Sequence, residues 1–337
     1  MRHAACALVL LLLLADSAAG ATKTDVVELR NGDRITCEIR KLERGKLTVK
    51  TDGLGTVAVE WDDVERVSSK ASYDVELESG LRLFGSLERS DADAVVVGAA
   101  PGGVRAQLRE IVRIAPVGGT LWRRLDGNVN AGFSFAQANV QTDWSFDAEI
   151  SYRSRRWLST LSADSALTIR EDADRQSRNA LSLGSQRFVG RRWSTLGFAQ
   201  FQQNEELSLN LRTIIGAGAE RRLMQSNRTV LAAIGGVAWT NEQYSGEEAV
   251  DVAEAVAGLT WDWFTFDGRS TNLDVGLLSY YAMNRARVRL ELNTSFKSDI
   301  VGDLYWSINL FESYNSDPPA SQKKSDFGIS ATLGWSF

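Results

Sequence analysis

Histidine is all but missing: the single one, His3, sits in an apolar leader. A mature chain without imidazole excludes serine–histidine and cysteine–histidine catalysis, histidine general bases and imidazole metal sites. Cysteine is nearly as scarce, with Cys6 in the leader and Cys37 beyond it. One remaining thiol makes no internal disulfide, and Cys37 reads as a small apolar strand residue. Long apolar runs are lacking too. Nothing after the leader supplies the ~20 apolar residues of a spanning helix, so any membrane crossing is made by strands. Lysine returns after Lys70 only at Lys297, Lys323 and Lys324, although arginine stays abundant. With a formal net charge of −5 and no basic block, the chain shows no nucleic-acid footprint.

What is present begins with export. Arg2, an apolar run from Ala4 to Leu14, and Ala19, Gly20 and Ala21 form a signal peptide over residues 1–21. Cys6 falls too early in that run for lipoprotein cleavage. Between Asp25 and Pro116 a pattern occurs twice, Val27-Glu28-Leu29-Arg30-Asn31-Gly32-Asp33-Arg34-Ile35 and Val75-Glu76-Leu77-Glu78-Ser79-Gly80-Leu81-Arg82-Leu83. Asn31-Gly32 and Ser79-Gly80 supply hairpin turn residues. Val64 and Val67 near the end of one copy match Ile111 and Ile114 in the other. Internal duplication predicts two small β-barrel repeats, SH3-like or Sm-like, over residues 22–70 and 71–119. Leucine, two residues, glycine and a strand resemble the first motif of Sm-like proteins. RNA binding would need a basic surface, so this slightly acidic front end reads as a packing or protein-contact module.

From residue 120 to 337 the pattern becomes long alternation. Trp144, Phe146, Ala148, Ile150 and Tyr152 oppose Ser145, Asp147, Glu149 and Ser151, and Val288, Leu290, Leu292 and Phe296 oppose Arg289, Glu291, Asn293 and Lys297. Successive strand side chains point to opposite faces. About twelve such segments occur, with ten or fourteen also allowed, each long enough for the roughly 9 to 11 residues that a tilted strand needs to cross a bilayer. The last, Phe327 to Phe337, has one apolar face and one small polar face and stops on an aromatic. Trp335 and Phe337 are read as its barrel-assembly signal. Trp122, Trp144, Tyr152, Trp157, Trp193, Trp239, Trp261, Trp263, Tyr280, Tyr281, Trp306 and Trp335 are the expected aromatic girdles. Glu171–Gln176, Asn241–Glu248 and Asn315–Lys324 are expected as outer loops, the last holding Pro318 and Pro319. Residues 153–156 and 190–191 are expected as tight turns on the other side, with both termini periplasmic.

The leader, the alternation from Gly127 to Phe337 and the terminal Leu333-Gly334-Trp335-Ser336-Phe337 resemble the family of salt-induced outer-membrane proteins, an uncharacterised domain-of-unknown-function family. The resemblance covers about the last two-thirds of the chain. It implies an all-β outer-membrane barrel of Gram-negative bacteria without an established activity, and it carries over no functional residues.

A charge on a lipid face costs roughly 2 to 4 kcal/mol for Arg or Lys at the midplane, which assigns Asp147, Glu149, Asp164, Arg212, Glu254, Asp262, Arg287, Arg289 and Glu291 to the lumen. The leading expectation is a barrel with a polar lumen, structural or a passive small-solute or ion pore. The alternative is a membrane anchor that presents the front module, residues 22–116, to a periplasmic protein or the cell wall. Outer-membrane lipid and the barrel-assembly machinery are the other expected partners. Catalysis by paired carboxylates such as Asp147 with Glu149 is the weaker rival, so no enzyme activity, cofactor or metal is expected.

Overall fold

Gly32 and Gly80 sit at positive φ, +92° and +79°, the conformation that closes the two predicted hairpins. Each donates its N–H to the carbonyl three residues back, Gly32 to Leu29 and Gly80 to Leu77. The computed structural model describes residues 23–98, 102–118, 124–136, 141–170, 173–205, 208–266, 270–284, 286–301, 304–317 and 324–335. The signal peptide, Trp122, Pro318, Pro319 and Phe337 therefore lie outside the described residues.

Among the described residues nine strands make up the front module: β1 (Asp25–Leu29), β2 (Arg34–Glu43), β3 (Lys46–Lys50), β4 (Thr56–Glu60), β5 (Val64–Leu77), β6 (Arg82–Arg89), β7 (Ala94–Val97), β8 (Val104–Gln107) and β9 (Ile111–Pro116). Short 3-10 turns at Trp61–Asp63 and Leu108–Glu110 precede β5 and β9 at matching places. The duplication extends to register. Val27 faces Ile35 and Val67, just as Val75 faces Leu83 and Ile114.

The two copies interlock. β5 runs unbroken through Lys70 and Ala71, so its first half ends one copy and its second half begins the next. Ser69 pairs with Leu87 of the second copy, and Ile114 of the second copy pairs with Leu42 of the first. Trp61 donates its indole N–H to the carbonyl of Leu108 at 2.8 Å, joining equivalent positions of the two copies. One apolar core results, with Val27, Ile39, Leu42, Leu47, Val75, Leu87, Ile111 and Ile114 essentially excluded from solvent. Each such aliphatic side chain contributes about 1.5–3 kcal/mol of transfer free energy.

The rest of the described chain forms one antiparallel sheet of twelve strands in sequence order. They are β10 (Leu125–Ala136), β11 (Gln141–Arg153), β12 (Trp157–Arg170), β13 (Ala173–Phe188), β14 (Trp193–Asn204), β15 (Leu209–Gln225), β16 (Thr229–Tyr244), β17 (Val250–Thr265), β18 (Thr271–Ala282), β19 (Val288–Val301), β20 (Leu304–Asn315) and β21 (Ser325–Trp335). The all-β class and strand number match the alternation in the sequence. Tight turns join β11 to β12 and β15 to β16, where Ser154 and Ser226 donate N–H to the carbonyls of Trp157 and Thr229 at 2.8 Å. Two expected outer loops are shorter than expected. β13 already begins at Ala173, and β16 runs on to Tyr244 because Glu242 finds charged partners on the sheet face. Among the described residues no ladder joins β21 back to β10; β10 is exposed along nearly its whole length.

Candidate functional site

Register divides the large sheet into two chemically distinct faces. Trp144, Leu161, Leu183, Ile215, Val237, Leu259, Leu277 and Phe327 lie on one, each between 39% and 57% exposed. Asp147 faces Asp164, Arg212 faces Glu242, Asp262 faces Asp274 and Arg289 faces Tyr280 on the other. All nine residues assigned to the lumen share that second face. Tyr280 departs from the expected girdle: it is 8% exposed on the ionic face, under the Arg289 guanidinium at 4.5 Å, where its ring offsets the cation's lost hydration.

Four of the nine converge. Glu254, fully buried, accepts from Arg289 Nε and Nη2 at 3.1 and 2.7 Å, from Arg287 Nη2 at 3.3 Å and from Thr240 Oγ1 at 2.9 Å. Arg287 Nη1 continues to Glu242 at 3.3 Å, and Glu242 accepts from Arg212 Nε at 2.9 Å. The bridge from the start of β19 to β16 spans three strand spacings, about 14 Å in a flat sheet, so the ionic face is the concave one. Glu291 stands 3.8 Å from Arg289. Asp147 takes a hydrogen bond from Asn130 Nδ2 at 2.7 Å, a neutral partner across the ladder. Asp164 sits opposite it, Glu149 lies toward the tight-turn end, and Asp262 belongs to a third group.

That third group lies where the front module meets the tight turns. Arg44, at the β2–β3 turn, donates to Asp274 at 2.5 Å. Asp74 of β5, 1% exposed, accepts from Arg82 Nε at 3.0 Å and from Arg153 Nη2 at 3.1 Å. Arg222 bonds Glu76 at 2.5 Å, Arg192 donates to the carbonyl of Glu78 at 2.9 Å, and Asn227 donates to that of Ile111 at 2.8 Å. Arg82, Arg153 and Arg222 also surround the Phe188 ring at 4.4, 4.7 and 6.0 Å. The approach at the Ser79-Gly80 turn is close, since a Cβ on Gly80 would fall 2.2 Å from the Arg191 carbonyl oxygen. Within the module, the Arg113 guanidinium beside Glu43 holds its carboxyl below the usual range.

Sequence reasoning missed this interface, although a signal existed. Arginines crowd the tight turns at Arg153–Arg156, Arg187–Arg192 and Arg221–Arg228, and the scarcity of lysine there has a physical reason. A planar guanidinium bonds a carboxylate and stacks on a ring at once, which an ammonium does less well. Docking meets the turn ends of the strands from β13 to β18 and leaves a cleft of about 440 Å³ beside β10, β11 and β12, bounded by β2 and β9.

The family described as "Protein of unknown function, DUF481" matches residues 129–337. The chain belongs to the DUF481 family. The match begins within β10 and leaves the duplicated module outside it. No curated protein matches the chain. Among solved structures, one titled "Bacterial polysaccharide outer membrane secretin" is similar at a TM-score of 0.38 with 10% identity, covering 79% of this chain and 96% of that one.

Proposed function

We propose that the chain is an integral outer-membrane β-barrel that acts as a passive pore for small solutes, with its duplicated module seated over the periplasmic mouth. The observation that carries this reading is the pair of faces. Strands of 11 to 17 residues are long enough to cross, and an exposed apolar surface of this extent costs free energy in water but not in hydrocarbon. Buried charges on the opposite face need a polar interior. A free sheet edge is not tolerated in lipid, so the reading requires β10 and β21 to pair in the membrane.

Heat-modifiable migration on a gel tests for the barrel, and conductance in planar bilayers tests for the pore. Unboiled and boiled protein running alike would remove the barrel. Anchoring without transport is the second reading, favoured by the buried contacts of Asp74 and Glu76 with the turn arginines. A silent bilayer together with recovery of a periplasmic protein or cell-wall fragment through residues 22–116 would select it. No catalytic role is proposed for Asp147 or Glu149.

A further inference from the structure

The cleft left beside the docked module has an unbalanced lining. Arg40, Lys41, Arg113, Arg124 and Arg153 border it, against Glu43, Asp126 and Glu149. Lys41 pairs with Asp126 and Arg113 with Glu43, and Arg40 lies 3.4 Å from Glu38. Arg153, 8% exposed, gives one nitrogen to Asp74. Its Nε and Nη1, like Nε of Arg124, are buried and meet no acceptor among the described residues. Buried donors of this kind are rare in folded proteins, and an ion in contact is one of the arrangements that accounts for them.

We propose that this cleft is a binding vestibule for small multivalent oxyanions, phosphate or polycarboxylate solutes. Guanidinium groups present paired N–H donors that match the oxygens of such anions, and the volume lies within the range of small-molecule sites. Ser151 and Thr160, both on the concave face, complete the polar wall of the cleft. The assignment rests on the pore reading for the passage of solute; binding itself does not depend on it.

The test is calorimetric titration of inorganic phosphate, and separately of citrate, into the full chain in detergent at low salt. Arg124→Gln and Arg40→Gln each remove one positive charge from the cleft without touching the Asp74 contacts. Each is expected to weaken binding roughly tenfold, the scale of one charge-assisted hydrogen bond. Arg187→Gln, which removes a cation stacked on Trp157 at 5.5 Å on the other face, leaves binding unchanged. Heat-modifiable migration of each variant verifies folding. Wild-type protein that binds neither probe, or cleft variants that bind as tightly as wild type, would overturn the site. Reversal potentials in a potassium chloride gradient separate this from the pore: binding in a non-conducting protein keeps the site and removes the pore, whereas conductance without binding keeps the pore and removes the site.

Discussion

Leu277 and Gly276 are neighbours on β18 whose side chains leave the sheet on opposite faces, which makes the pair a test of the whole membrane reading. Leu277 is 39% exposed on the apolar face. A Cβ on Gly276 would meet no atom within 4 Å, so the concave face accepts the start of a side chain there. Arginine on a lipid-facing strand costs about 2 to 4 kcal/mol near the midplane, a shift of roughly 30- to 700-fold in the folding equilibrium at 1.4 kcal/mol per decade. Leu277→Arg is therefore expected to lower the equilibrium constant for folding into lipid vesicles by that factor. Gly276→Arg, with the same added charge and larger side chain, should lose far less. Urea titration of folding into vesicles, read by heat-modifiable migration, measures both. If Leu277→Arg folds like the unaltered chain, the apolar face does not meet hydrocarbon, and if Gly276→Arg is the damaging one, the two faces are assigned the wrong way round.

Asp74→Asn leaves the Arg82 and Arg153 guanidiniums buried without their shared countercharge, a change expected to cost about 3–5 kcal/mol; a double-mutant cycle with Arg153→Gln, followed by urea melting of the module, should show strong coupling, and simple additivity would contradict the contact. Because the carboxyl of Glu43 is held below its ordinary range by Arg113, its contribution to stability is complete above the unfolded pKa and disappears as pH falls through the folded one. The unaltered chain should thus lose more stability between neutral and acidic pH than Glu43→Gln does, as measured by urea midpoints. Cys37 is fully buried, and burial with the nearby Asp25 pushes its thiol up to about 12. Iodoacetamide should label it only after denaturation, and labelling of the folded chain at neutral pH would place it at an accessible surface.

The twelve long strands were legible because a period of two is a local signal that survives without knowledge of neighbours. The same holds for the hairpins at Asn31-Gly32 and Ser79-Gly80, where the turn residues are decisive on their own. Glu242 lies in the polar stretch Asn241–Glu248 that reads as an outer loop, yet Arg212 and Arg287 give its carboxylate a reason to sit on a strand. Pairings such as Leu42 with Ile114 join residues far apart in sequence, and no local pattern distinguishes them from closure within one copy. The docking arginines were visible as composition only; their partners Asp74 and Glu76 sit at alternate positions of β5, which marks a charged face without saying what meets it.

Because a single continuous ribbon, β5, serves both halves of the front module, neither half can be shed or melted by itself. Trimming the first copy would strip the second of the strand that Ile114 lies against, and trimming the second would orphan Ser69 in the same way. The duplicated unit is therefore expected to unfold as one body.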